Sequence, residues 1–206
     1  MSISAHPCQQ AARHRQSPSG VPSRLRSQAG FSLVEVSIVM AIILLLAIIA
    51  IPRVQAYVVQ SKVPKVGEEL ARFILHTRVN ASGGVSPPYQ GIATTNLANM
   101  LAESSVFTIG GSAAAPTVLH GLGTDGVVTV AEADAGESFS ITLSQVNHAA
   151  CPSLASILQR VSDSIVLTPE GGGSAVIKDA TTAYSALDTE MRCAQGDGNT
   201  FVFTVG

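Results

Sequence analysis

The sequence predicts an α+β fold, in which a long N-terminal helix, apolar through its first half, packs by its second half against an antiparallel β-sheet head with short helices. Three observations carry this. Residues 31–51 are an almost unbroken apolar run. Beyond Pro52 the apolar positions Val59, Val63, Val66, Leu70 and Phe73 step by three and four, which is one face of an amphipathic helix. Beyond residue 81 come short alternating or β-branched segments separated by turn residues, the pattern of strands.

The apolar run reads FSLVEVSIVMAIILLLAIIAI. As a helix it spans ~32 Å at 1.5 Å per residue, enough for a bilayer core. Arg13, Arg15, Arg24 and Arg26 precede it and no acid does, so the positive-inside rule keeps the N-terminus in the cytoplasm and sends the rest outward. Glu35 stands inside the run, where an acid costs ~2.5–3.5 kcal/mol at mid-bilayer and less near the end of the span. It asks for a partner. A plain single-span anchor gives Glu35 no purpose. A cleaved secretory signal, with Val54-Gln55-Ala56 as its small-residue site, shares that weakness, and its apolar core is longer than usual.

The second half of the helix carries Arg53, Lys62, Lys65, Glu68, Glu69, Arg72 and Arg78 on its polar side. Pro52 and Pro64 each remove an amide donor and crowd the preceding turn, so bends or local melting are expected there. The pattern stops before Ser82-Gly83-Gly84 and Ser86-Pro87-Pro88. A helix over residues 31–80 is ~75 Å long, too long to bury its first half in one globular domain. In the head, residues 96–103 and 151–162 read as short helices, the second opened by Cys151-Pro152. Gly126–Ala131, Ser138–Leu143, Ile165–Thr168, Ala175–Lys178 and Thr200–Val205 read as strands.

Charge and motif exclude several functions. The formal net charge is −2, but beyond Val79 only Arg160, Lys178 and Arg192 oppose the acids. Nucleic-acid binding needs clustered Lys/Arg, and Trp is absent, so neither counterion displacement nor base stacking is provided for. No nucleophile elbow, zinc spacing or calcium loop occurs, so no catalytic residue, metal site or cofactor is assigned. Gly171-Gly172-Gly173 lacks the Lys-Ser/Thr of a phosphate loop and reads as a turn. His76, His120 and His148 are isolated and read as surface or helix-face residues. Asn80-Ala81-Ser82 is a chance glycosylation triplet, and Asp125, Glu132 and Asp134 read as a solvated acidic loop. Of three cysteines, Cys8 lies in a Pro/Ser/Gln/Arg-rich stretch that reads as disordered. Cys151 and Cys193, in an exported domain, most simply pair with each other.

The string Arg26-Ser27-Gln28-Ala29-Gly30-Phe31-Ser32-Leu33-Val34-Glu35 resembles the type IV prepilin processing site: a basic leader ending in Gly, an apolar residue after it, and a Glu four residues later at the head of an apolar helix. Pro52 falls where many members bend that helix. The leader of thirty residues is similar to the type IVb branch, although that branch often starts its mature chain with Met or Leu. The run GVVTVAEADAGESFSITLSQVNHAACPSL, then Cys193 and TFVFTV, looks like the C-terminal half of plasmid- and enteric-type, PilS-like, type IVb pilins. Residues 81–117 carry no part of this resemblance.

The resemblance implies three parts: a cleaved leader (1–30), a long helix (31–80, with 31–51 in membrane or filament core and 52–80 amphipathic), and a head (81–206). It implies cleavage by prepilin peptidase between Gly30 and Phe31, N-methylation of Phe31, an assembly role for Glu35, and a Cys151–Cys193 disulfide. It implies an inner-membrane precursor that polymerises with copies of itself into an extracellular pilus for adhesion, aggregation or mating contact, using a platform protein and an ATPase. A type II secretion pseudopilin and a minor pilin share the processing site. An exported binding domain cut after Ala56 is the reading of another class.

Overall fold

The computed structural model describes residues 30–81, 83, 84 and 86–206. The leader arginines, Cys8 and Ser82 of the Asn80 triplet lie outside the described residues. The elements run α1 (Leu33–Ala81), α2 (Thr94–Met100), β1 (Thr108–Ser112), β2 (Ala115–Leu119), β3 (Val127–Ala133), β4 (Ser138–Val146), α3 (Cys151–Leu158), β5 (Ser164–Pro169), β6 (Ala175–Lys178), α4 (Ala186–Arg192) and β7 (Asn199–Val205). The seven strands form one antiparallel sheet in the order β1-β2-β3-β4-β7-β5-β6. The last strand therefore enters the middle of the sheet, between β4 and β5.

α1 continues through Pro52 and Pro64 to Ala81, so neither proline melts it. Within the unit Leu44–Gly206, its residues Val63, Val66, Leu70, Phe73 and Ile74 are buried, which is the face that the sequence spacing marks out with Ile74 added and Val59 only half-buried. Fully burying a side chain of this size is worth about 1.5–3 kcal/mol. The opposing layer is one face of the sheet. Strict alternation along β7 turns Phe201, Phe203 and Val205 to that face, and the register aligns Phe203 with Ile141 on one side and Ile165 on the other. Phe73 meets Phe139 edge-on, with ring centroids 6.2 Å apart. α3 packs on α1 where Gly67 removes the side chain, since a Cβ there would lie 2.8 Å from Ile157.

Residues 81–117 hold α2, β1 and the first part of β2. The short helix is Thr94–Met100 rather than 96–103, because Ala93 is already extended and the Asn96 side chain accepts its N–H, starting the helix early. α3 closes at Leu158, earlier than residue 162. Lys178 from β6 donates to the carbonyls of Gln159 and Ser162, which supplies charge and hydrogen bonds to that C-terminus. α4 lies in a stretch with no apolar periodicity. It is capped by Ser185, whose hydroxyl accepts the Asp188 N–H, and held by the bridge at Cys193.

His120 is buried in the head rather than placed on its surface. Its Nε2 donates to the Ser144 carbonyl at 2.8 Å and its Nδ1 accepts the Leu122 N–H at 3.0 Å, which assigns a neutral ring with the proton on Nε2. Two local features make the room. A register shift between Leu143 and Val146, with Gln145 at φ 54°, bulges β4 and aims the Ser144 carbonyl at the ring. Gly126 lies so close that a Cβ there would sit 2.4 Å from the imidazole. Burial lowers the His120 pKa below its ordinary 6.5, against smaller opposing effects of the Ser144 carbonyl and Asp197. Below pH 6.5 the unfolded chain takes up a proton that the folded ring refuses, so head stability falls as pH drops from there. Urea unfolding of the head between pH 7.5 and 5 should show this loss, and His120→Gln should flatten it. Equal slopes would remove His120 from the account.

Candidate processing and assembly site

The backbone of Gly30, Phe31 and Ser32 is non-helical, and α1 starts at Leu33. The first helical bond runs from the Val36 N–H to the Ser32 carbonyl at 3.1 Å. The Gly30–Phe31 peptide therefore lies just outside the helix, in backbone a peptidase can hold extended. A Cβ on Gly30 meets nothing within 4 Å, so this chain's own packing does not require glycine there. Phe31 is 79% exposed. Glu35 occupies the first turn of α1, exposed, where the unsatisfied N–H groups and the helix dipole favour an acid. It lies four residues beyond Phe31.

Behind these residues the helix is apolar on every side. It is long and apolar enough to cross a membrane, and none of its most apolar stretch is buried in the chain. Leu44, Leu45, Ile48 and Ile49 are all exposed. A helix without a polar face has no place on the surface of a soluble domain, and an exposed apolar stretch of this length marks a surface of contact.

At the other end, a disulfide joins Cys151 to Cys193 across 42 positions, with Cα atoms 6.2 Å apart. It ties the start of α3 to the residue that ends α4, and so closes off the part of the chain holding β5 and β6. Two further contacts anchor this region, and sequence reading had no signal for either, because their partners are far apart in the chain. Asp197 accepts the Thr124 N–H at 2.8 Å and hydroxyl at 2.7 Å, and the Asn147 amide at 2.5 Å. Partial burial pushes against its charge, but these hydrogen bonds outweigh it and hold its pKa low. Asp163 accepts from Arg78 of α1 at 2.6 Å and from the Gly206 N–H at 2.8 Å, pinning the last strand to the long helix.

Several other polar groups find hydrogen-bond partners within the chain. Asn80 reaches the His76 ring at 3.1 Å, and the His148 N–H donates to the Gly196 carbonyl. Glu132 accepts the Gly91 N–H and Asp134 the Ser138 hydroxyl. Among the described residues no three His, Cys, Asp or Glu side chains come together to hold a metal ion.

Residues 25–51 match the prokaryotic N-terminal methylation motif, and residues 123–206 match the PilS N-terminal family. The first match contains Gly30, Phe31 and Glu35. The second contains β3 to β7, both disulfide cysteines and Asp197. No curated protein matches the chain.

Proposed function

From a chain that is a type IV pilin of the PilS-like kind by both matched segments, we propose a structural pilus subunit, cleaved between Gly30 and Phe31 and N-methylated on Phe31. The observation that carries this is the apolar, unburied helix that follows at once upon a Gly-Phe peptide in non-helical backbone, with one acid in its first turn. In the membrane, lipid covers residues 31–51 of the precursor. In the fibre, the same residues of neighbouring subunits replace the lipid, and the head (81–206) stays in solvent. Prepilin peptidase, a platform protein and an assembly ATPase are the partners this reading requires, and adhesion, aggregation or mating contact are its uses.

Ala56, the alternative cleavage residue, lies in the middle of α1, where the carbonyls are engaged in the helix. The open backbone at Gly30 favours the first site. N-terminal sequencing of the mature protein tests the choice, with Phe31 expected and Tyr57 overturning the reading. Gly30→Glu should leave the full precursor in the inner membrane. Since the residue packs on nothing in its own chain, that loss is attributable to the peptidase pocket and not to misfolding. A mature-size band from Gly30→Glu at the wild-type level contradicts cleavage at this bond.

A further inference from the structure

Between the last turns of α1, residues 88–92 and α2 lies an open cavity of about 640 Å³. That falls within the ~300–1,000 Å³ of ordinary small-ligand sites. Its buried and half-buried lining is apolar, with Phe73, Tyr89, Ile92 and Met100. Its exposed lining is polar, with His76, Asn80, Gln90, Asn96 and Asn99, and no Asp, Glu, Lys or Arg lines it.

Much of this polar rim has hydrogen-bonding capacity to spare. Asn80 reaches His76, and the Asn96 Oδ1 accepts the Ala93 N–H. The Asn96 Nδ2 and the side chains of Gln90 and Asn99 have no hydrogen-bond partner among the described residues. Tyr89 adds a different kind of observation. It is 7% exposed, and its ring rests on Phe139 with centroids 5.0 Å apart. A tyrosine buried this far ordinarily gives its hydroxyl a partner. Among the described residues this hydroxyl has none, yet it is not sealed in as Ser162 Oγ is. Phenylalanine would make the same core contact, so the hydroxyl is left over for the cavity.

We propose that this cavity binds a neutral saccharide. The lining selects the class. Without Lys or Arg it offers no counter-charge to a phosphate or carboxylate, and without Asp or Glu it offers none to a cation. An extended peptide docks on a free strand edge and a peptide helix in an apolar groove. Here the walls are two helices and a loop, and their exposed side chains are amides and an imidazole. An amide presents a donor and an acceptor together, which matches a sugar hydroxyl that is both at once. The C–H face of a sugar ring then covers the apolar floor at Tyr89, Ile92 and Met100, while the few polar groups fix its orientation. The inference goes beyond the pilin reading and does not depend on it, because the cavity belongs to a single head.

The test uses the full chain, purified from membranes in a detergent without a sugar headgroup. Saturation-transfer NMR is run against the methyl glycosides of glucose, galactose, mannose and N-acetylglucosamine, with glucuronic acid and the peptide Gly-Gly-Gly as controls. At least one neutral glycoside should receive saturation, and neither control should. Titration of that glycoside should be about threefold weaker for Tyr89→Phe and about tenfold weaker for Gln90→Ala/Asn99→Ala. The first change keeps the ring on Phe139 and the second removes only exposed side chains, so neither disturbs the core. Absence of saturation in every neutral glycoside overturns the proposal, as does a titration unchanged in both variants. Saturation of glucuronic acid at the level of the glycosides, or of Gly-Gly-Gly alone, assigns another class of ligand and overturns it as well.

Discussion

Glu35→Ala pilin should insert, be cleaved and be methylated like the wild type, yet yield about a hundredfold fewer fibres. On the proposed processing, cleavage leaves an α-ammonium on Phe31, four residues before Glu35 in the first turn of α1. A charge carried into an apolar core is tolerated when an opposite charge meets it, and stripping away one partner of a buried pair costs about 3–5 kcal/mol. In lipid the N-terminus sits near the headgroups, and water can solvate the unpaired ammonium. In a fibre the apolar helices surround it, and the loss is felt at every subunit addition. Glu35 can meet the ammonium of its own chain or that of a neighbour shifted along the axis, and the second arrangement also sets the register of addition. Mature-size pilin in membranes and pilin in the sheared fraction, measured separately, check the prediction. A normal fibre yield from fully processed Glu35→Ala would leave Glu35 without an assembly role.

Removing the Cys151–Cys193 bridge should cost the head about 4 kcal/mol on the chain-entropy account of a loop this long. That is a large share of the ~5–15 kcal/mol by which a domain is ordinarily stable. The loss should be local before it is global. α4 is seven residues long, leaves Leu187 and Met191 exposed, and is held by the bridge together with the buried Thr189. Cys151→Ser/Cys193→Ser pilin should therefore be cut by protease first within residues 179–198 and be less abundant in cells, whereas Cys8→Ser should behave as wild type. Limited proteolysis with mass mapping reads the first site of cutting. Wild-type resistance of the double variant would show that Asp197 and the α3–α4 packing suffice without the bridge.

Some of this was legible in the residues because it depends on short spacings. The α1 face Val63–Val66–Leu70–Phe73 is a matter of helical period, and the structure buries each of the four. β4, β5, β6 and β7 follow from alternation and β-branching, which a sheet buried on one face enforces. Gly30, Phe31 and Glu35 stand out as a candidate processing site because they lie in one short stretch at the head of the apolar run. Other elements carried no such signal. The β1–β2 hairpin, TIGGS and APTVL, mixes Thr, Ile and Val with Gly, Ala and Pro, which strands disfavour, and is a strand pair because α2 and β3 lie beside β2. His120 looked like a surface residue because nothing near it in sequence announces the bulge at Gln145 or the close approach of Gly126.

The sequence by itself determined the long apolar helix, the amphipathic face and most of the strands, since each depends on residues within a few positions of one another. Only the tertiary structure decided that β7 enters between β4 and β5, that Asp197 clasps Thr124 and Asn147, and that Asp163 joins Arg78 to Gly206. Those arrangements pair residues tens of positions apart, and the free energy that selects among such pairings comes from burial and hydrogen bonding in the closed fold, which no local stretch of chain contains.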